Sequence, residues 1–327
     1  MTNNDRLYAI DLAEEDELDD AAYFMGRALR SGNINALNDY GVILQRQGEY
    51  QSAKKCYEAA IDAGVALAYA NLADLYVNGN VGPLNINDVI SLYEKGASLG
   101  EPDCYEKLGN LYLFGKFVTK DIKKAFGLYQ KGYIVEVESG RGYKNAIMLA
   151  TGYTFNYFGI EDRIKEKEYY LFAAKRGCNL AYYNLGFMYL NEGNNEEAIS
   201  YWLIAGEKNY PDGYFELAER YWHGTNGFSI DKQAAAHFLE KAIEEGSYKA
   251  YLMHLDLLLS GELGEVDIHS AEFILAKYLV QAPYKEDYQD YYDAIKAIHK
   301  DKIDFEAIEA NPRNYYLTNG KIRWGHK

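Results

Sequence analysis

The chain has 327 residues, a formal net charge of −15 and 48% apolar residues. It is rich enough in apolar side chains to bury a core, yet longer than the roughly 250–300 residues one core supports, so two domains or an elongated repeat array are expected. The net charge argues against nonspecific nucleic-acid binding, no apolar run approaches the roughly 18 residues of a membrane helix, and the acidic stretch from Met1 to Asp20 does not read as a basic-plus-apolar leader.

Residues 1–32 read as an N-terminal cap or partial repeat. Leu12-Ala13 marks a degenerate first helix, Ala21, Met25, Ala28 and Gly32 keep the spacing of a second, and residues 11–20 are strongly acidic. Arrays of stacked units need polar ends of this kind.

Over residues 33–282 one unit recurs seven times. Asn-Leu-Ala-Asp-Leu-Tyr at 71–76 returns as Lys-Leu-Gly-Asn-Leu-Tyr at 107–112 and as Asn-Leu-Gly-Phe-Met-Tyr at 184–189. Small residues anchor the units at Gly41, Ala73, Gly109, Ala150, Gly186 and Ala218, with Leu255 in the last. Around each anchor stand a small residue five positions before, Leu one before and Tyr three after, in most units. Those offsets form one apolar helical stripe. A second helix follows with a small residue (Ala53, Val89, Ala125, Ala198, Ala235 or Ala271, with Glu166 the exception). Four positions later comes a large one, Tyr57, Tyr93, Tyr129, Tyr170, Trp202, Leu239 or Leu275. Gly64, Gly100, Gly177, Asn209 and Gly246 then fit left-handed helix ends. Much of the high tyrosine count, 33, fills these slots.

This pattern resembles the Sel1-like repeat, a relative of the tetratricopeptide repeat. Lys107 to Tyr129 is the best match, with Gly115, Val118 and Asp121 in the turn; Trp222-His223-Gly224 to Asp231 and Gly261 to Asp267 repeat the longer turn. The unit around Gly193 has the shorter turn of a plain tetratricopeptide repeat. The resemblance implies an all-α fold: a right-handed superhelical solenoid of about seven helix-turn-helix repeats, acting as a scaffold.

The unit around Ala150 departs from the pattern, with an insertion over residues 133–143 and Glu166 in place of Ala, and an irregular helix pair is expected there. The last unit, near Leu255, has lost its Gly and Tyr. Residues 283–327 form a separate C-terminal segment: a helix over 285–300, a short helix over 302–309, and a basic tail in which Asn319-Gly320 signals a β-hairpin.

The residues of catalysis do not assemble. Cys56, Cys104 and Cys178 have neither metal-knuckle spacing nor a disulfide pattern, and with the absence of an Asn-x-Ser/Thr sequon they favour a reducing, cytoplasmic location. His254 sits in the Leu column, where a core histidine is expected. No HExxH, phosphate loop or nucleophile elbow occurs. The expectation is a non-enzyme with no metal, no cofactor and no catalytic residue.

If the first helices line a concave face, positions three before and one, four and five after each anchor are exposed on it. That face turns aromatic between the third and sixth units, and Phe114, Phe155, Tyr183, Phe187, Phe215, Trp222 and His223 are its candidate partner-binding residues. The alternative is that these rings pack against neighbouring helices. The leading functional reading is a monomeric, non-catalytic scaffold for a protein or peptide. A sharper version is an inhibitor or immunity-type protein that neutralises a basic partner such as a toxin, steered by the acidic charge. An enzyme or enzyme-regulating subunit, and self-assembly through an exposed end repeat near Leu255, are the remaining readings.

Overall fold

The computed structural model describes residues 2–83, 85–281, 289–310 and 312. Among them the chain is all helix, without a strand. The hairpin expected at Asn319-Gly320 is not borne out, since it lies outside the described residues.

Helices follow one another in antiparallel pairs. They are α1 (Thr2–Glu14) with α2 (Leu18–Arg30), α3 (Ala36–Arg46) with α4 (Tyr50–Asp62), α5 (Leu67–Val77) with α6 (Ile86–Ser98), and α7 (Pro102–Phe114) with α8 (Ile122–Ser139). Next come α9 (Lys144–Thr154) with α10 (Arg163–Lys175), α11 (Asn179–Asn191) with α12 (Asn195–Glu207), α13 (Asp212–His223) with α14 (Lys232–Glu244), and α15 (Tyr248–Ser260) with α16 (Ile268–Gln281). Two further helices, α17 (Gln289–His299) and α18 (Phe305–Ala310), complete the chain. Two compact units result, Met1–Gly177 and Cys178–Lys327.

The recurring columns are the core. Tyr57, Tyr93, Tyr129, Tyr170 and Trp202 are fully buried, and each lies across a small residue of the preceding helix. A Cβ on Gly41 would stand 2.5 Å from the Tyr57 ring, one on Gly109 2.4 Å from Tyr129, and one on Gly186 2.3 Å from the Trp202 indole. The small anchor therefore exists because an aromatic ring occupies the space a side chain would need. Each buried ring contributes on the order of 1.5–3 kcal/mol.

The second helices that follow the longer turns, among them α8, α10 and α14, start on side-chain caps. Asp121, Asp162 and Asp231 accept from the backbone N–H of Lys124, Lys165 and Ala234 at 2.9, 3.0 and 2.9 Å. At the other end Gly64, Gly100, Gly177, Asn209 and Gly246 all have positive φ, between 60 and 90°.

The unit that breaks the pattern repairs itself. Its insertion lengthens α8 to 18 residues, where α6 and α10 have 13. The added turn carries Glu136, which is 0% exposed and caps α9 by accepting from the backbone N–H groups of Asn145 and Ala146 at 2.7 and 3.1 Å. Burial pushes its carboxyl above the usual range, against the pull of these donors. Glu166, which replaces the small residue, accepts from Thr154 Oγ1 at 2.7 Å and Arg163 Nη1 at 2.8 Å. Helices α9 and α10 are thus a regular pair, joined by a loop over residues 155–162.

At the N-terminus Ala9, Leu12, Ala21, Met25 and Ala28 share one buried cluster, so α1 and α2 form a packed pair. At the other end Tyr292, Ile295, Ile303, Phe305 and Ile308 join the cluster of Leu255, Leu258 and Leu275. Helices α17 and α18 therefore cover the end repeat, tied to α15 by His299 Nε2 to Asp256 Oδ1 at 2.9 Å and to each other by Tyr292 Oη donating to Glu309 at 2.7 Å. This corrects the expectation of an exposed repeat edge at Leu255: its apolar surface is already occupied.

Candidate functional site

The buried rings do more than fill space. Each passes beneath its small anchor and delivers a polar atom to the first helix. Tyr57 Oη donates to Gln45 Oε1 at 2.9 Å, Tyr93 Oη to Asp74 Oδ1 at 2.5 Å, and Tyr129 Oη to Asn110 Oδ1 at 2.7 Å. Tyr170 Oη meets Thr154 Oγ1 at 2.9 Å, and Trp202 Nε1 donates to the Tyr183 carbonyl at 3.1 Å. The core thus orients the polar side chains of the first helices, which reduces the conformational entropy a ligand must quench there. Sequence columns mark the rings but not the atoms they reach.

In the unit Met1–Gly177 this face is polar. Asn71 Nδ2 donates to Asn38 Oδ1 at 2.8 Å, Lys107 pairs with Asp74 at 3.1 Å, and Asn110 donates to Glu106. Burial raises the Glu106 carboxyl, opposed by Lys107, Lys144 and Asn110. The two candidate rings of this unit stand at helix ends. Phe114 is the last residue of α7 and 65% exposed; Phe155 follows α9, is 63% exposed and stacks on Tyr157 at 5.7 Å.

In the unit Cys178–Lys327 the face is aromatic and charged. Tyr183 of α11 donates through Oη to Glu216 Oε1 of α13 at 3.0 Å. It packs edge-on against Phe187 at 5.0 Å and tilted against Tyr210 at 5.0 Å. Phe187 in turn stands edge-on to the core Trp202 at 5.1 Å. Arg220 donates to Glu216 Oε2 at 3.2 Å, one helical turn along. Lys249 of α15 lies 5.9 Å from the Tyr183 ring and 5.8 Å from Phe215, and pairs with Asp212 at 3.1 Å. Tyr183, Phe215, Glu216 and Lys249 thus converge from three successive first helices.

The electrostatics of this cluster are those of a desolvated site. Burial pushes the Glu216 carboxyl up, and so does Glu219, while Tyr183, Arg220 and Lys249 pull it back. Burial, together with the Glu216 charge, also raises the Tyr183 phenol. Arg220 keeps a buried Nε–H that has no partner among the described residues. Half-buried rings beside fixed charges form a surface that can take an aromatic or aliphatic side chain together with a polar backbone.

Two candidates fall differently. Trp222 is 6% exposed, within the cluster of Leu239, Leu255 and Leu275, with Lys232 Nζ 4.7 Å from its ring. Its offset predicts a surface anchor; the packing of the following helices α14 to α16 encloses it instead. His223, beside it, is exposed. Sequence reading missed Glu216, Arg220 and Lys249, whose meeting depends on the register between neighbouring units. It also missed Phe158, which closes the α9–α10 loop against Phe126 at 4.8 Å.

No group of three or more His, Cys, Asp or Glu side chains able to hold a metal occurs among the described residues. Burial raises all three thiols, Cys56, Cys104 and Cys178, and such thiols are poor nucleophiles. None of the described helices is long and apolar enough to cross a membrane.

A model of the Sel1 repeat matches residues 66–101, 102–133 and 211–247, and a model of the tetratricopeptide repeat matches 34–63 and 180–201. Among curated protein sequences nothing matches. Among solved structures the chain is similar to a protective antigen of uropathogenic Escherichia coli displaying an SLR fold. That likeness has 20% identity and a TM-score of 0.65, and covers 94% of this chain and 68% of the antigen. It is also similar to a Sel1 repeat protein from Oxalobacter formigenes, at 24% identity and a TM-score of 0.56, covering 72% of this chain and 98% of that one. Yeast Tom70 matches at 14% identity and a TM-score of 0.53, covering 94% and 63%.

Proposed function

We propose that this chain, an array of Sel1 and tetratricopeptide repeats, is a non-catalytic scaffold that binds a segment of a partner protein. The first-helix face of α11, α13 and α15 receives it. The observation that carries this reading is the convergence of Tyr183, Phe215, Glu216 and Lys249 from three helices. Rings that are half-buried before binding lose little entropy when covered, and the surrounding charges fix the register of a bound backbone. Phe187 and Phe215 are the anchors, and exposed Asn191 and His223 lie at the rim. The reading assigns no step of chemistry to the chain and places it in the cytoplasm as a monomer.

Capture from the native lysate tests it, with wild type beside a Phe187→Ala/Phe215→Ala variant and an Asn191→Arg variant. Bound proteins are identified by mass spectrometry and folding is checked by circular dichroism. A partner retained by wild type and lost from both folded variants is the expected result. A partner retained equally by all three contradicts the site.

The net charge of −15 supports a narrower form, an inhibitor or immunity-type protein for a basic partner. Association that weakens steeply with added salt is then expected. Salt-insensitive association removes the narrower form and leaves the scaffold reading intact.

A further inference from the structure

The turn between α7 and α8 differs from the chain around it. Residues 114–124 hold four lysines, Lys116, Lys120, Lys123 and Lys124, and one acid, Asp121, in a chain of net charge −15. Asp121 is engaged locally as the cap of α8. Lys124 donates to the Tyr112 hydroxyl at 2.7 Å, and none of the four lysines pairs with a carboxylate among the described residues. All four are exposed, and between them stand the exposed apolar side chains of Phe114, Phe117 and Ile122.

Phe117 is the unusual member. Its φ is +70°, in the left-handed region, and the other described non-glycine residues there are Asp16, Asn156, Asn209 and Asn226. Those short polar side chains tolerate that backbone, whereas a bulky ring is strained in it. Nor does burial compensate the strain, since Phe117 is 46% exposed. Strained residues of this kind cluster at ligand clamps and switch regions. An exposed ring held at a conformational cost among lysines that have no carboxylate partner, with Lys116 Nζ 5.1 Å from its centroid, lies outside the buried core of the repeat.

We propose that this turn is a second docking surface, one that takes an acidic polypeptide segment carrying an aromatic or aliphatic side chain. The carboxylates of the segment meet Lys116, Lys120 and Lys123, and its apolar side chain covers Phe114 and Phe117. Charge complementarity selects the occupant. An anionic bilayer would face the whole chain and its charge of −15. A short segment instead samples the local field within a Debye length of about 8 Å. The surface shares no residue with the α11–α13–α15 face and stands or falls independently of it.

The test uses the full chain and fluorescein-labelled peptides of Glu and Asp with one central Phe, beside the same peptide with Ala in its place. Anisotropy is read at low and physiological salt. The Phe-containing peptide binds at low salt and more tightly than its Ala counterpart. Phe117→Asn weakens it about tenfold, while the melting temperature holds or rises because Asn suits the left-handed backbone. Lys120→Glu/Lys123→Glu, at exposed positions, abolishes binding. No binding to wild type at low salt overturns the proposal, as does binding unchanged in both variants. Vesicles of phosphatidylserine and phosphatidylcholine form the last arm. Vesicle binding that is lost in the variants, without peptide binding, assigns the turn to a membrane and overturns the proposal as well.

Discussion

The turns after α7 and α13 use one backbone frame and dress it in opposite ways. In both, a glycine ends the first helix in the left-handed region, Gly115 at φ 69° and Gly224 at φ 63°. In both, the capping Asp returns its own N–H to a tyrosine carbonyl, Asp121 to Tyr112 at 2.8 Å and Asp231 to Tyr221 at 2.9 Å. The aromatic residue then diverges. Phe228 turns inward, is 7% exposed and meets Tyr221 edge-on at 5.3 Å. In the other turn half-buried Val118 points toward the core, and Phe117 is left outside among lysines. The frame is therefore a property of the repeat, while the surface is a property of the individual unit, and it is on the surface that function has to be sought.

The largest expected effect separates the two rings. Phe228→Ala should cost about 3–5 kcal/mol by removing a buried aromatic, whereas Phe117→Ala should stay within about 0.5 kcal/mol of wild type. Urea unfolding followed by tyrosine fluorescence measures both, and equal losses would erase the distinction between them.

Acid sharpens the contrast between the units, because all six histidines lie at residues 223–326. Burial drops the His254 imidazole to about 4, with Asp267 pulling the other way. The folded protein keeps it neutral while the unfolded chain takes up a proton below the ordinary value near 6.5. Stability contributed by that neutral ring is complete above pH 6.5 and lost as pH falls toward 4, by about 3 kcal/mol at most. Hydrogen exchange should show the loss in α15 and α16 and not in α3 to α8. His254→Leu, which restores the column's usual residue, should abolish it.

A smaller effect is expected to be common to both units. Gly109→Ala and Gly186→Ala each drive a Cβ into a ring and should cost about 1–3 kcal/mol. Smaller still, Asp121→Ala and Asp231→Ala each remove a cap and should cost about 1 kcal/mol alike. Thermal melts of the four variants check whether the frame is equivalent in the two units.

Most of the helix architecture was legible because its cause is local and periodic. Small residues recur where rings must lie, and glycine or asparagine recurs where helices end. The departures were less legible. Glu166 reads as a defect in sequence, yet Thr154 and Arg163 satisfy it through a loop length and rotamers that no column encodes. Glu136 lies within the insertion, and only the helical geometry of α8 carries it to the start of α9. The candidate face was legible in part. Helical offsets put Tyr183, Phe187 and Phe215 on the first-helix face, where they are half-buried, but they also placed Trp222 on the surface, because they treat each helix as a free cylinder and omit the following helices that cover it. Charged partners from neighbouring repeats depend on inter-repeat register and leave no sequence signal.

Hydrogen exchange of the full chain, free and bound to its captured partner, addresses the scaffold reading most directly. Protection concentrated in α11, α13 and α15, including the peptides that carry Tyr183, Phe215 and Lys249, is the predicted result. Protection confined to the second helices α12 and α14, with those peptides unchanged, would contradict it.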